Sequence, residues 1–234
     1  MSDSHRISWS GVLQSSVFKK VVMALTGIFL ILFIVVHLLG NLSLYHADGH
    51  DFNKYAATLH SFGWLLVAAE IGLLVLFLVH IAMAIQLKLN HNAARPEGYK
   101  LYKSKGGPSR ANLSSRFMIV SGVVLLVFLV LHVWQFRFGP GIEQGYATQM
   151  NGEQVRDLYK LVSETFHNPI FVVIYVFAMI MLGFHLRHGI WSAFQSLGAK
   201  SPTLHSILTK LAVLLAIIIS LGFLGIPLWI YFHS

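Results

Sequence analysis

Five long apolar segments divide the chain. Each has the roughly 20 residues that an α-helix needs to cross the hydrocarbon core of a bilayer. The pattern predicts an all-α integral membrane protein, a single domain over residues 1–234 with five transmembrane helices. In the polar connection after the third segment, a stretch near 152–164 is expected to form a short interfacial helix. The five segments cover approximately residues 20–42, 63–87, 117–136, 169–192 and 207–232.

The positively charged residues lie mostly on one side of these spans. If the N-terminus is inside, 13 of the 17 Lys and Arg residues fall on the inner side and 4 on the outer side. Because cytoplasmic loops carry an excess of Lys and Arg, this distribution predicts that the N-terminus is inside and the C-terminus outside. The net charge of +8 therefore reflects topology and contact with lipids or partner subunits, not nucleic-acid binding.

The composition agrees with a surface that faces lipid. Hydrophobic residues make up 56% of the 234 residues, charged residues make up 11%, and the mean hydropathy is +0.67. About a quarter of the residues of a soluble protein are charged. We expect a multi-pass protein of the cytoplasmic (inner) membrane without a cleaved signal peptide, since the first nineteen residues lack a short apolar core. Cysteine is absent, which excludes Cys-ligated iron–sulfur clusters, disulfides and thioether-linked haem from this chain.

Four histidines lie inside spans, one in each of the first four: His37, His80, His132 and His185. An ionisable side chain at membrane depth is costly and indicates function. At a rise of about 1.5 Å per residue, His37 and His132 fall in the outer half of the membrane, and His80 and His185 in the inner half. The four histidines therefore form two pairs at two levels.

Such pairs are typical of bis-His haem ligation, in which two imidazoles bind one iron from opposite faces within a four-helix bundle. We predict that the first four helices form this bundle, with His37 and His132 as the axial ligands of an outer haem b. His80 and His185 are the predicted ligands of an inner haem b, although His188 is an alternative to His185. Zinc or copper fits less well, because these ions need three or four ligands at one level.

Two of the spans repeat one pattern. Residues 26–37 read TGIFLILFIVVH and residues 121–132 read SGVVLLVFLVLH. Gly27 and Gly122 each precede a histidine by ten residues, about 15 Å along the helix, which places both near the inner haem. A glycine at that level lets a flat macrocycle approach the backbone; the alternative is close helix packing at small residues.

Four motifs carry a family resemblance: MALTG at 23–27, HLLGNL at 37–42, NKYAATLHS at 53–61 and HLRHGIWSAFQSLG at 185–198. Over nearly its whole length the chain resembles the single-subunit, five-helix, dihaem cytochrome b558 anchor of succinate dehydrogenases and fumarate reductases. The resemblance implies the same pairing of haem ligands. It also implies a flavoprotein with FAD and an iron–sulfur subunit on the cytoplasmic face, and a quinone, usually menaquinone, as membrane substrate.

The predicted function is therefore to relay electrons between that flavoprotein/iron–sulfur module and menaquinone, with no dehydrogenase chemistry in this chain alone. One alternative is the haem b anchor of another quinone-linked complex, of the hydrogenase or heterodisulfide reductase type. Two further alternatives contain no haem: a transporter with a histidine proton relay, and a structural membrane scaffold.

Several other polar residues have candidate roles. Glu70, the only acid within a span, is either part of a quinone or proton site or a neutral acid bonded to a neighbouring helix. Asp51 and His60, near the outer boundary, are weaker candidates for the same site. Gly183 stands where some dihaem fumarate reductases carry a glutamate for transmembrane proton movement, which argues against such a path here. Possible contacts of the inner haem propionates are Arg187, His188, Lys19, Lys20 and Arg116.

The fifth span contains no candidate ligand. We expect it to pack on the outside of the bundle.

Overall fold

The structure, a computed structural model, describes residues 9–46, 48–94, 117–150, 152–199 and 201–233. Within these ranges, five helices are long and apolar enough to cross a membrane, which confirms the five predicted spans. In chain order, the elements are α1 Trp9–Gln14, α2 Ser16–Asn41, α3 His50–Ser61, α4 Trp64–Ala93, α5 Met118–Phe136, β1 Ala147–Met150, β2 Glu153–Arg156, α6 Leu158–His167, α7 Pro169–Ser196 and α8 Pro202–His233. Short 3-10 helices cover Leu42–Tyr45 and Ile142–Gln144.

Local capping signals define where two of the spans begin. The hydroxyl of Ser15 accepts the main-chain N–H of Phe18 at 3.1 Å, immediately before α2. The side chain of Asn168 accepts the N–H of Ile170 at 3.0 Å, and Pro169 occupies the first position of α7. These side chains satisfy N–H groups that have no partner within the helix, and the fixed φ of proline suits a first turn.

Helix α7 is the centre of the bundle. It packs against α8, α2 and α5, while α4 packs mainly against α2. One group of buried residues joins α7 to α8 and includes Ala178, Met179, Leu182, Ala212 and Ala216. The fifth span, α8, contacts α2 and α6 as well as α7, and its place outside the haem-binding bundle stays a prediction.

One end of the bundle is covered by a cap, formed by α3, the antiparallel hairpin of β1 and β2, and α6. The buried side chain of Asn53 in α3 donates to Asp157 Oδ1 at 2.8 Å and accepts the N–H of Tyr159 at 2.9 Å. The guanidinium of Arg156 donates to the carbonyls of Phe136, Gly139 and Pro140 at 2.9, 3.1 and 2.9 Å. These bonds fasten the cap to the end of α5. We refer to this end of the bundle as the cap end.

The cap corrects one detail of the sequence reading. The helix expected near 152–164 begins only at Leu158, because Glu153–Arg156 pairs with Ala147–Met150 as a hairpin. A positive φ at Gly152, 83°, is the left-handed conformation that hairpin connections require and that glycine adopts at low cost.

Candidate cofactor site

The first predicted pair of histidines is brought together near the cap end. His37 lies four residues before the end of α2, and His132 lies four residues before the end of α5. Their ring centroids are 5.8 Å apart and their planes are at 88°. Both side chains are half-buried. Two different helices therefore present imidazoles to one another at one level.

The second predicted pair lies further from the cap. His80 and His185 each come sixteen residues after the start of their helices, Trp64–Ala93 and Pro169–Ser196. That distance corresponds to about 24 Å along the helix axis. His188 follows His185 by three residues, less than one turn further along the same helix. The structure therefore keeps the two-level arrangement, with His188 adjoining the second level.

Aromatic rings surround the pair at the cap end. Phe33 and Phe223 lie 5.4 and 5.7 Å from His37, measured between ring centroids. Around His132 the corresponding rings are Phe128 at 5.6 Å, Phe136 at 5.3 Å and Tyr175 at 6.1 Å. Phe223 belongs to α8, so the fifth span contributes to this site although its sequence contains no ligand. Sequence reasoning missed it because the pattern of α8 does not reveal which side meets His37.

The second pair has small and hydroxylated neighbours. Thr26 Oγ1 is 3.2 Å from His80 Nδ1, and Ser121 Oγ is 3.2 Å from His185 Nδ1. A Cβ added at Gly27 would lie 3.4 Å from His80 Cε1, and one added at Gly122 would lie 3.6 Å from His185 Cε1. The glycines selected from the sequence therefore adjoin the imidazoles of the second pair. Clearance for a macrocycle at these glycines stays a prediction.

The donor set fits two haems better than small metal ions. Each level offers two imidazoles from different helices. In the part of the chain that the structure describes, no three His, Asp or Glu side chains converge as a metal ion held by protein alone would need. The rings around His37 and His132 provide the apolar, aromatic contacts that a porphyrin favours.

Glu70 is held by an ion pair at the cap end. Its carboxylate accepts two hydrogen bonds from Arg137, at 2.8 Å from Nε and 3.1 Å from Nη2. The side chains of Arg137 and Glu70 remain 52% and 39% exposed. The partner of Glu70 is therefore the charged side chain of the residue that follows α5, and the role of Glu70 at a quinone or proton site stays a prediction.

Asp51 and His60 lie at opposite ends of α3, about 14 Å apart along its axis. The Asp51 carboxylate contacts His46 Nδ1 at 2.6 Å and lies 3.6 Å from His50 Nδ1. The hydrogen bond with His46 is the main cause that lowers the pKa of Asp51. His60 is exposed in the last turn. Among the described residues, no hydrogen bond or ion pair joins Asp51 or His60 to Glu70.

Four of the candidate propionate contacts lie toward the end opposite the cap. Lys19 and Lys20 are in the first turn and a half of α2, and Arg187 and His188 follow His185 on α7. Arg116 lies outside the described residues. The role of all five in binding a propionate stays a prediction.

Comparison with known proteins adds one finding. A sequence model of the family described as the succinate dehydrogenase/fumarate reductase transmembrane subunit matches residues 99–225. The matched stretch is more than half of the chain and contains α5, α6, α7 and most of α8, with His132 and His185. No curated protein and no solved structure shows a significant match to the chain.

Proposed function

Because this chain belongs to the succinate dehydrogenase/fumarate reductase transmembrane subunit family, we propose that it is a dihaem cytochrome b anchor of the b558 type. Membership makes it a membrane subunit of a succinate:quinone oxidoreductase, associated with flavoprotein and iron–sulfur subunits. The number of haems, their ligands and the path of the electrons are the proposed part.

One observation carries the proposal: imidazoles from four helices lie at two levels of the bundle, two at each level. His37 and His132 would hold one haem b, and His80 and His185 the other. When bound, the haems supply one-electron transfer, and ligation by two histidines leaves no position open for oxygen. The chain's own contribution is to orient the ligands and to enclose the site in an apolar sheath that excludes water.

The proposed order of the two haems between the soluble subunits and quinone follows from the orientation that the charge distribution predicts. If the cap end is the outer end, the pair of His80 and His185 is the nearer to the cytoplasmic flavoprotein and iron–sulfur subunit. The chain would then carry electrons across most of the bilayer to menaquinone at the cap end. Moving one charge across the membrane involves about 2.3 kcal/mol per 100 mV, so turnover should respond to the membrane potential. A rate in proteoliposomes that ignores an imposed potential contradicts this orientation.

The quinone and propionate contacts belong to the same proposal. Glu70 lies at the cap end and has Arg137 as its partner, so it is our first candidate for a residue that positions quinone or exchanges its proton. Asp51 and His60 are the weaker candidates. At the other end, Lys19, Lys20, Arg187, His188 and Arg116 are candidates to neutralise the propionates of the inner haem.

The proposal is tested on the purified complex. We expect a reduced-minus-oxidised spectrum of haem b and a pyridine haemochrome assay that gives two haems per chain. We also expect an FAD-containing subunit and an iron–sulfur subunit to co-purify with succinate dehydrogenase or fumarate reductase activity. A colourless complex contradicts the haem assignment and favours a scaffold or a proton-relay transporter. Haem with hydrogenase or heterodisulfide reductase subunits favours the other quinone-linked complex.

A further inference from the structure

The hydroxyl groups beside the second pair of histidines share one bonding pattern. Thr26 Oγ1 donates within its own helix, toward the carbonyls of Val22 at 2.9 Å and Met23 at 3.1 Å. Ser121 Oγ donates to the carbonyl of Met118 at 3.1 Å. Both side chains are buried, with 6% of Thr26 and 1% of Ser121 exposed.

If each hydroxyl gives its hydrogen to the carbonyl of its own helix, the direction of its hydrogen bond to the histidine is set. A hydroxyl has one hydrogen, and a carbonyl oxygen can only accept. Once the hydroxyl of Thr26 or Ser121 has donated to a carbonyl, it can only accept from the imidazole. The Nδ1 atoms of His80 and His185, each 3.2 Å from its hydroxyl, must then carry the proton. The Nε2 atoms are left with a free lone pair, which is the tautomer that binds a metal through Nε2.

We propose that Thr26 and Ser121 are positioning residues that hold His80 and His185 with Nδ1 protonated and Nε2 available to the iron of the inner haem. The inference rests on the proposed function and extends it, because it assigns the groups that orient two of the ligands. A hydrogen bond at the second nitrogen fixes the ring orientation of a metal-bound histidine and makes it a stronger electron donor.

The adjacent glycines complete the same arrangement. Gly27 follows Thr26 and Gly122 follows Ser121, and each glycine lies under the Cε1 edge of the imidazole that the hydroxyl binds. The hydroxyl thus sets the rotation of the ring, and the missing side chain gives the ring room. The arrangement occurs twice, on α2 for His80 and on α5 for His185.

Different side chains lie beside the two histidines at the cap end. Tyr175 Oη donates to Gln135 Oε1 at 2.7 Å and lies 3.4 Å from His132 Nδ1, which is a longer version of the same contact. The amide nitrogen of Asn41 lies 3.4 Å from His37 Nδ1 and donates to the His37 carbonyl at 2.7 Å. Changes at Thr26 or Ser121 should therefore affect one haem and leave the other unchanged.

The test compares Ser121→Ala with Ser121→Thr, and Thr26→Ala with Thr26→Ser, in the purified holocomplex. Threonine is a suitable control at residue 121 because Thr26 occupies the equivalent position of the repeat. Haem content, redox titration of the optical α band and the electron paramagnetic resonance of the ferric haems are measured. We expect the midpoint potential of one haem to rise in each alanine variant, because its ligand donates less strongly, and to stay near the wild-type value in the hydroxyl-retaining variants.

Each outcome decides the proposal. Loss of one haem in Ser121→Ala but not in Ser121→Thr also supports it, since the wild type and Ser121→Thr both keep the hydroxyl that Ser121→Ala lacks. Equal haem loss in both, equal shifts in both, or an unshifted potential in Ser121→Ala overturns it. A wild-type complex without two haems overturns the proposed function itself, whereas two haems with an unshifted Ser121→Ala overturns only the role of the hydroxyl.

Discussion

The imidazoles of His37 and His132 meet edge to face, 5.8 Å apart between ring centroids, although 95 positions separate them in the sequence. If one haem lies between them, His37→Ala and His132→Ala should each remove the same chromophore. The pyridine haemochrome value should fall from two haems per chain to one, and the double variant should lose no more than either single variant.

The same assay separates the two levels. His80→Ala or His185→Ala should remove the other chromophore, with a different midpoint potential. His91→Ala is a matched control, because His91 is exposed in the last turn of α4 and should leave both haems in place. If His37→Ala and His80→Ala deplete the same spectral component, the pairing is wrong.

The grouping of the four histidines into two pairs at two levels could be predicted from the sequence, because it depends only on chain direction and helix rise. His37 and His132 lie near the ends of helices that run toward the cap, and His80 and His185 lie past the middle of helices that run away from it. The rotation of each helix about its own axis could not be predicted in the same way. It depends on packing between helices, and a span that is apolar all round does not specify it. The contact of Phe223 with His37 was missed for that reason.

The cap shows the same limit for local structure. Helix α3, His50–Ser61, mixes polar and apolar residues and contains no long apolar run. Its stability depends on hydrogen bonds such as the one from Asn53 to Asp157, which lies 104 residues away in the sequence. The hairpin depends on the pairing of Ala147–Met150 with Glu153–Arg156. Apolar segments long enough to cross a membrane indicate neither contact.

The ion pair of Glu70 and Arg137 allows a structural role to be separated from a catalytic one. Because both side chains are partly exposed, we expect Glu70→Gln and Arg137→Gln each to cost roughly 0.2–1 kcal/mol, with coupling of similar size in a double-mutant cycle. Thermal unfolding in detergent measures this. The charge-swapped variant Glu70→Arg with Arg137→Glu should recover most of the stability.

Quinone reductase activity gives the second measurement on this pair. If Glu70 acts on quinone, the charge swap restores stability but not activity, because the carboxylate has moved to the end of α5. Full recovery of activity in the swapped variant would mean that the pair only joins α4 to the residue after α5.

The contact of Asp51 with His46 should make the start of α3 sensitive to acid. The pKa of Asp51 is lowered in the folded protein, mainly by the His46 hydrogen bond. Its stabilising contribution is therefore present above the unfolded pKa of about 3.9 and is lost as the pH falls through the lower folded value.

Amide hydrogen exchange in α3 measures that dependence. At pH 6, Asp51→Asn should exchange faster than wild type, while the exposed control Lys54→Gln should not. Below the folded pKa of Asp51 the wild type and Asp51→Asn should become equal. A difference that persists there would show that the substitution acts through something other than the carboxylate charge.

Gly183 is the position where a related proton path would place a glutamate, and here it faces α8. A Cβ added at Gly183 would lie 2.7 Å from Ser220 Oγ and 3.4 Å from Ser220 Cβ. Any side chain must therefore separate α7 from α8 or displace Ser220. We expect Gly183→Ala to destabilise the bundle by about 1–3 kcal/mol, as overpacking of a close contact does, and Gly183→Glu to cost more.

Ser220, the residue that a side chain at position 183 would meet, supplies the control for this prediction. Within the described residues, Ser220 Oγ is buried and has no hydrogen-bond partner, so Ser220→Ala should leave stability unchanged or raise it. The double variant Gly183→Ala with Ser220→Ala should recover most of the loss, since the remaining 3.4 Å contact is tolerable. Gly189→Ala on the same helix meets nothing within 4 Å and should be neutral or stabilising, because alanine favours helix by about 1 kcal/mol. Equal destabilisation at residues 183 and 189, measured by thermal unfolding in detergent, would show that close packing against Ser220 is not the cause.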